Sequence, residues 1–197
     1  MIDKTLDLIR KEVNSFIIAK LNDATITNRV ALTSFVDESG RMTIPADMVG
    51  LSLLNIEEER TLKSAGLIAT TKAESHTSFV SPPVCLNLQI MFTAYFNNYI
   101  ESLKHISYII ACLQTKPVFD ADNTPDMANL PTEKLVFELN TLGLEQQHYI
   151  WAMIGLRYLP SVVYRVRMLT VFERDVVLEV ANIKEIGTEP GLKEVKD

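Results

Sequence analysis

Fifteen residues, Pro82 to Phe96 (PPVCLNLQIMFTAYF), constrain the fold of this chain more than any other stretch. Leu86, Leu88, Ile90 and Phe92 stand at alternate positions, with Asn87, Gln89 and Thr93 between them. A period of two puts the first set on one face of a β-strand and the second on the other. The period then changes. Phe96, Tyr99, Ile100, Leu103, Ile106, Ile110 and Leu113 recur at three- and four-residue steps, which is one face of a helix. The junction predicts a half-buried strand feeding a helix of roughly five turns. No catalytic residue type stands there, which points toward a structural role.

Charge and cysteine usage narrow the function classes. The net charge is −6 and the pI near 5.2, which argues against the basic footprint of a nucleic-acid binder and against adhesion to an anionic membrane. The charge-free stretch Ser75 to Ile100 is interrupted by Pro82, Pro83, Asn87, Gln89, Asn97 and Asn98, so it reads as soluble core rather than a span. The N-terminus carries charges from Asp3 onward and lacks the apolar core of a signal peptide. Cys85 and Cys112 read as two reduced, partly buried thiols. Cytoplasmic synthesis is the expectation.

The rest of the chain supplies further elements. Ile2, Leu6, Ile9, Val13, Phe16 and Ile17 predict an amphipathic helix from about Ile2 to Leu21. Thr27 to Val36 reads as a strand, Asp37 to Ala46 as a loop or hairpin connection, and Gly50 to Glu59 as a second strand. Arg60 to Ser81 is polar and reads as a long, mobile connection. Pro117 stops the second helix, and Asp120 to Pro131 is loop. Lys134 to Leu142 predicts a strand with Leu135, Phe137 and Leu139 on one side, although LVFEL also tolerates a helix, Leu144 to Leu156 a third helix, and Ser161 to Phe172 a long β-branched strand. The last 25 residues hold seven acidic and four basic side chains, half of the net charge. Within them Val176, Leu178 and Val180 alternate as a short strand would. The expected fold is α+β, a mixed, largely antiparallel sheet of about five strands packed against about three helices. The expected organisation is a domain over 1–172 and a charged tail or arm over 173–197.

Motifs for chemistry are scarce. The seven glycines are dispersed, so neither GxGxxG nor a Walker-type loop can be written. His76, His105 and His148 share no zinc-ligand spacing with each other or with the cysteines. Asp120, Asp122, Asn123 and Asp126 resemble a calcium loop, but Pro125 and Pro131 replace its required glycine and glutamate. Glu57, Glu58 and Glu59 are consecutive, so they splay to opposite faces of a strand end rather than converge. Arg165 and Arg167 share one face of a strand whose other face carries Tyr164, Val166, Met168 and Phe172. They are either a solvated outer face or an ion-pairing contact for a partner subunit, with an anion-binding enzyme site a third reading. No cofactor and no metal site is expected. Val176, Leu178 and Val180 join the two arginines as candidate partner-interface residues, since an alternating strand can add to a neighbour's sheet.

Three segments carry a resemblance: GLSLLNIEEERTLK (Gly50 to Lys63), PPVCLNLQIMFTAYFNNYIESLKHISYII (Pro82 to Ile110) and LEQQHYIWAMIGLRYLPSVVYRVRM (Leu144 to Met168). Together they resemble the cap, or tail-terminator, family of phage-tail-like extracellular contractile injection systems, of the antifeeding-prophage and Photorhabdus virulence cassette type. The resemblance implies a tail-terminator-like fold and a non-enzymatic assembly protein with no catalytic residues to carry over. It implies a homohexameric ring on the distal end of the inner tube, touching the inner tube protein and the last ring of sheath protein, with neither nucleic acid nor membrane as partner. The particle is assembled in the cytoplasm and can be released from the cell. Some relatives carry a further C-terminal region, whose contacts are not implied here. Two alternatives remain: another structural part of such a particle, as a baseplate or tube-associated adaptor, or an uncharacterised enzyme using the acidic cluster or the Asp-rich loop.

Overall fold

A computed structural model describes residues 1–23, 25–59, 68–73, 76–80, 84–170 and 176–181. The helix α1 (Ile2–Leu21) buries Leu6, Ile9, Val13 and Ile17 at helical spacing and ends where Asn22 turns left-handed at φ 51°. Asn14, on its flank, accepts the amides of Arg29 and Val30 at 2.7 and 3.2 Å and so pins the start of the first strand.

That strand, β1 (Val30–Leu32), is shorter than the predicted Thr27 to Val36. The Asp37 carboxylate captures the amides of Ser39 and Arg41, both at 2.8 Å, and closes a turn that takes Val36 back to bridge Met42. The remaining strands of the main sheet are β2 (Met48–Glu58), β5 (Val84–Tyr95), β6 (Val118–Asp120), β7 (Thr132–Leu139) and β8 (Ser161–Thr170). Between β2 and β5 come β3 (Ile68–Ala73) and β4 (His76–Val80). The main sheet runs in the order β1-β2-β5-β8-β7-β6, antiparallel except for the parallel β1–β2 pair. One sheet of six strands therefore replaces the expected five, and its mixed, mostly antiparallel character is as expected.

On one face of this sheet, α1 and α2 (Tyr99–Thr115) cover Leu51, Leu88, Ile90, Phe92, Leu135, Tyr164 and Val166. On the other, α3 (Leu144–Ile154) sets Trp151 and Ile154 against Met91 and Val163. This explains why β5 alternates so cleanly only at its start. Gln89 lies beyond α3 and is partly exposed, and Asn87, 6% exposed, is a polar residue bonded to Glu59, whereas Met91 and Thr93, on that same face, are 1% and 0% exposed. Cys85 shares their parity on β5, while Cys112 is buried in the α2 layer on the opposite side, so the sheet stands between two free thiols.

Two expectations need correction. The buried stripe of α2 is Ser102, His105, Ile109, Cys112 and Leu113, whereas Tyr99, Ile100 and Leu103 are exposed. Phe96 leaves the helix and stacks on the His105 ring at 4.2 Å, which turns an aromatic histidine face, rather than Tyr99 and Leu103, toward the core. The second correction concerns Arg60 to Ser81, where β3 and β4 form an antiparallel pair instead of a structureless connection. Their sequences, IATTKA and HTSFV, are β-branched yet lack apolar–polar contrast, so a periodicity search passes over them. β9 (Val176–Ala181) pairs antiparallel with β4, giving a separate three-stranded sheet β3-β4-β9. This small sheet is a unit distinct from the one built of α1–α3 and the six-stranded sheet. Phe172, assigned above to the inward face of β8, lies outside the described residues.

Candidate partner interface

The half of the sheet that α3 leaves uncovered is a polar surface built by strand register. Gln89 stands opposite Asn55 on β2 and opposite Arg165 on β8, and Arg165 in turn stands opposite Glu138 on β7. The next row is Glu57, Asn87, Arg167 and Val136. Directly opposed residues in antiparallel strands project to the same side, so one face collects two arginines, three amides and two carboxylates.

Their hydrogen bonds run along the diagonals. The Gln89 amide donates to Glu57 at 2.8 Å, the Asn55 amide to the same carboxylate at 3.1 Å, and the Asn87 amide to Glu59 at 2.9 Å. Glu57 and Glu59 are thereby acceptors for neighbouring amides on a strand end, the geometry of a hydrogen-bonded surface and not of an acid–base pair. The Arg167 guanidinium meets Glu138 at 2.5 Å, with both side chains about half exposed. An exposed pair of this kind contributes about 0–1 kcal/mol. Arg165 differs. Its Nε is buried and has no hydrogen-bond partner among the described residues. The two arginines that look alike in sequence therefore have different environments. Val176 and Leu178 on β9 pair with Val80 and Phe79, and Val180 with Thr77, so these three candidates belong to the small sheet, a different unit from the one that carries the arginines.

Two further exposed patches were not legible from periodicity. α3 turns Leu144, Tyr149 and Met153 outward, and Tyr158 follows just beyond it, each more than half exposed. The first turn of α2 adds Tyr99 and Ile100, 62% and 70% exposed. Large apolar side chains clustered on otherwise polar surfaces mark contact surfaces for other proteins. A 220 Å³ cavity lies under α3, lined by Met91, Leu142, Ile150, Trp151 and Val163 among others.

The remaining candidates for chemistry resolve into structural roles. Asp120 and Asn123 bond each other's amides and Thr124 caps the turn, so the Asp-rich loop is knit by its own hydrogen bonds. Among the described residues no three His, Cys, Asp or Glu side chains converge as a metal would need. His105 is 2% exposed, its Nδ1 2.8 Å from the Glu101 carbonyl oxygen, and burial holds its pKa below the ordinary histidine value. The Cys112 thiol is pushed up to about 11, chiefly by burial, and so stays protonated at neutral pH. Among the described residues no helix is long and apolar enough to cross a membrane.

The main unit is thus an α+β fold, a six-stranded mixed sheet with two helices on one face and a third on the other. The profile of the Pvc16 N-terminal domain matches residues 6–182, and the chain belongs to that family. Two solved structures share its fold. One is the anti-feeding prophage cap, the AFP tube-terminating cap, with a TM-score of 0.59 at 14% identity over 91% of this chain. The other is the PVC sheath/tube terminator of an extracellular contractile injection system in its extended state, with a TM-score of 0.51 at 14% identity over 92% of this chain. The chain spans 59% and 64% of the length of those two proteins. No curated protein matches the sequence.

Proposed function

We propose that this protein is the structural cap of a contractile injection particle: a homohexameric ring that closes the distal end of the inner tube, meets the last sheath ring and ends polymerisation. The observation that carries this reading is a fold likeness to a tube-terminating cap along nine-tenths of the chain, together with membership of the Pvc16 N-terminal domain family over residues 6–182. In this reading the chain acts through surfaces and not through catalysis, and it travels with the particle. The outer sheet face around Arg165 and Arg167, the strand Val176–Ala181 and the apolar patch on α3 are the surfaces offered to neighbours. A six-fold ring seating on a six-fold tube needs one preformed surface repeated by symmetry, which a rigid sheet face supplies.

Electron microscopy of particles carrying a labelled copy tests the reading. The label is expected at one end only, on the terminal ring and opposite the baseplate, in six copies. Label on the baseplate or along the tube would replace the cap with an adaptor role, and a monomer on the assembled particle would remove the ring.

A further inference from the structure

We propose that Arg165 is the cation through which one copy of this chain takes a carboxylate of the neighbouring copy, and that Arg167 keeps it available by holding Glu138 away from it. The inference rests on the ring reading and assigns different roles to two arginines that reading treats alike. Glu138 is the residue directly across the β7–β8 pair from Arg165, where facing side chains start roughly 5 Å apart. It nevertheless pairs with Arg167, one row away, at 2.5 Å. On the other flank Gln89 faces Arg165 across the β5–β8 pair, but its amide nitrogen donates to Glu57 at 2.8 Å and no bond joins its oxygen to Arg165 among the described residues. One carboxylate thus stands beside two guanidiniums and bonds only Arg167, while the half-buried Arg165, its Nε enclosed by the chain, has no bonded partner among the described residues. The terminal nitrogens of a half-buried guanidinium favour a fixed carboxylate over water, because a charge-assisted bond in a water-poor site is stronger than one at an open surface.

Charge complementarity points to a second copy as the source of that carboxylate. The chain carries 25 acidic and 19 basic residues, so an unmatched guanidinium on one patch has its complement elsewhere on the same molecule. Asp122, Asp126 and Glu133, on and beside the connection from β6 to β7, are exposed, and none of them makes an ion pair or side-chain hydrogen bond among the described residues. A cation on the sheet face and carboxylates on a separate loop form a heterologous, head-to-tail contact, the type that closes into a ring.

The arrangement predicts an unusual pattern among variants of the full-length chain, read by sedimentation in low and high salt with circular dichroism as the folding control. Arg165→Ala is expected to weaken self-association roughly tenfold or more, as loss of one partner of a desolvated charge pair does. Arg167→Ala should weaken it comparably, because the freed Glu138 turns to Arg165. The double variant Arg167→Ala with Glu138→Ala should return to near wild-type association. Modification of Arg165 by phenylglyoxal, mapped by mass spectrometry on dilute protein, gives a second readout. Its rate should fall in Arg167→Ala and recover in the double variant. A double variant as weak as Arg167→Ala, with no change in Arg165 reactivity, makes Arg167 itself the contact and overturns the proposal. A wild-type chain that stays monomeric at its highest soluble concentration in low salt overturns the neighbouring copy as the occupant. The predicted pattern from a protein that microscopy never finds at particle ends would instead overturn the cap reading and leave this inference standing.

Discussion

At the scale of single residues, His105 shows how a titratable side chain becomes core. It is 2% exposed, stacked on Phe96 and bonded to the Glu101 carbonyl. Burial lowers its pKa, with the nearby Arg29 cation pushing the same way and the Glu101 contacts opposing. The native site therefore resists a proton that the unfolded chain accepts near its ordinary pKa of about 6.5. Stability linked to His105 is complete above that value and is lost as the pH falls below it. The melting temperature should decline between pH 7 and pH 5, and His105→Gln should flatten that part of the profile. A decline unchanged in the variant would assign the pH response to other groups. Cys112 offers a parallel test: buried and with its pKa raised to about 11, it should react with a thiol reagent far more slowly than half-buried Cys85 in the native protein. Gly50 is the residue least tolerant of change in β2. A Cβ there meets the Ile44 side chain at 2.8 Å, and Ile44 is itself buried. Gly50→Ala should cost about 1–3 kcal/mol by overpacking, read as a lower denaturation midpoint.

At the scale of elements, α2 separates apolar pattern from burial. Asn98 caps its start by accepting the Ile100 amide at 3.0 Å, and losing that cap costs about 1 kcal/mol. Ile100 is 70% exposed and Ile109 is fully buried on the same helix. Ile100→Lys should therefore leave stability within about 0.5 kcal/mol, whereas Ile109→Lys should unfold the domain; equal losses would place both on the core side. β9 is the other informative element. It pairs with β4 through main-chain hydrogen bonds, a register that a neighbour's strand can satisfy equally well. Deleting Arg174 to Asp197 is expected to leave the melting temperature of the α1–α3 unit near the wild-type value while reducing oligomer size or particle binding. A large fall in melting temperature would instead tie β9 to the stability of its own main domain.

At the scale of the whole molecule, the two faces of the six-stranded sheet are covered differently. One sheet face is closed by α1 and α2, and the other is half closed by α3 and half left as a hydrogen-bonded polar field. A protein that works by binding neighbours needs such a field held rigid. Here the rigidity comes from central strands: β5 is paired along its length with both β2 and β8. Charge reversal at both arginines, Arg165→Glu with Arg167→Glu, should therefore leave the chain folded at a cost of about 1–3 kcal/mol, since Arg165 is half-buried and Glu138 loses its ion pair, and impair association with neighbours. Thermal collapse of the double variant would show that the polar field holds the sheet together rather than serving a contact.

Local pattern alone determined the type and order of the main elements. The period-two run in β5, the stripe on α1, the Pro117 stop and, within the described residues, the strand at Ser161–Thr170 all stand where the local pattern puts them, because strand and helix periodicity are properties of a few adjacent residues. The placement of Arg165 and Arg167 opposite Tyr164, Val166 and Met168 was legible for the same reason. Tertiary structure alone decided what lies beyond that range. Sequence spacing cannot announce that Glu138 stands across from Arg165 yet bonds Arg167, because strand register is set by packing of residues far apart in the chain. The strands β3 and β4 lacked apolar contrast, and their partner β9 lies about a hundred residues further on. The buried side of α2 was decided by Phe96 turning back onto His105. An apolar stripe records only which residues favour burial, whereas the neighbouring elements determine which of them are covered.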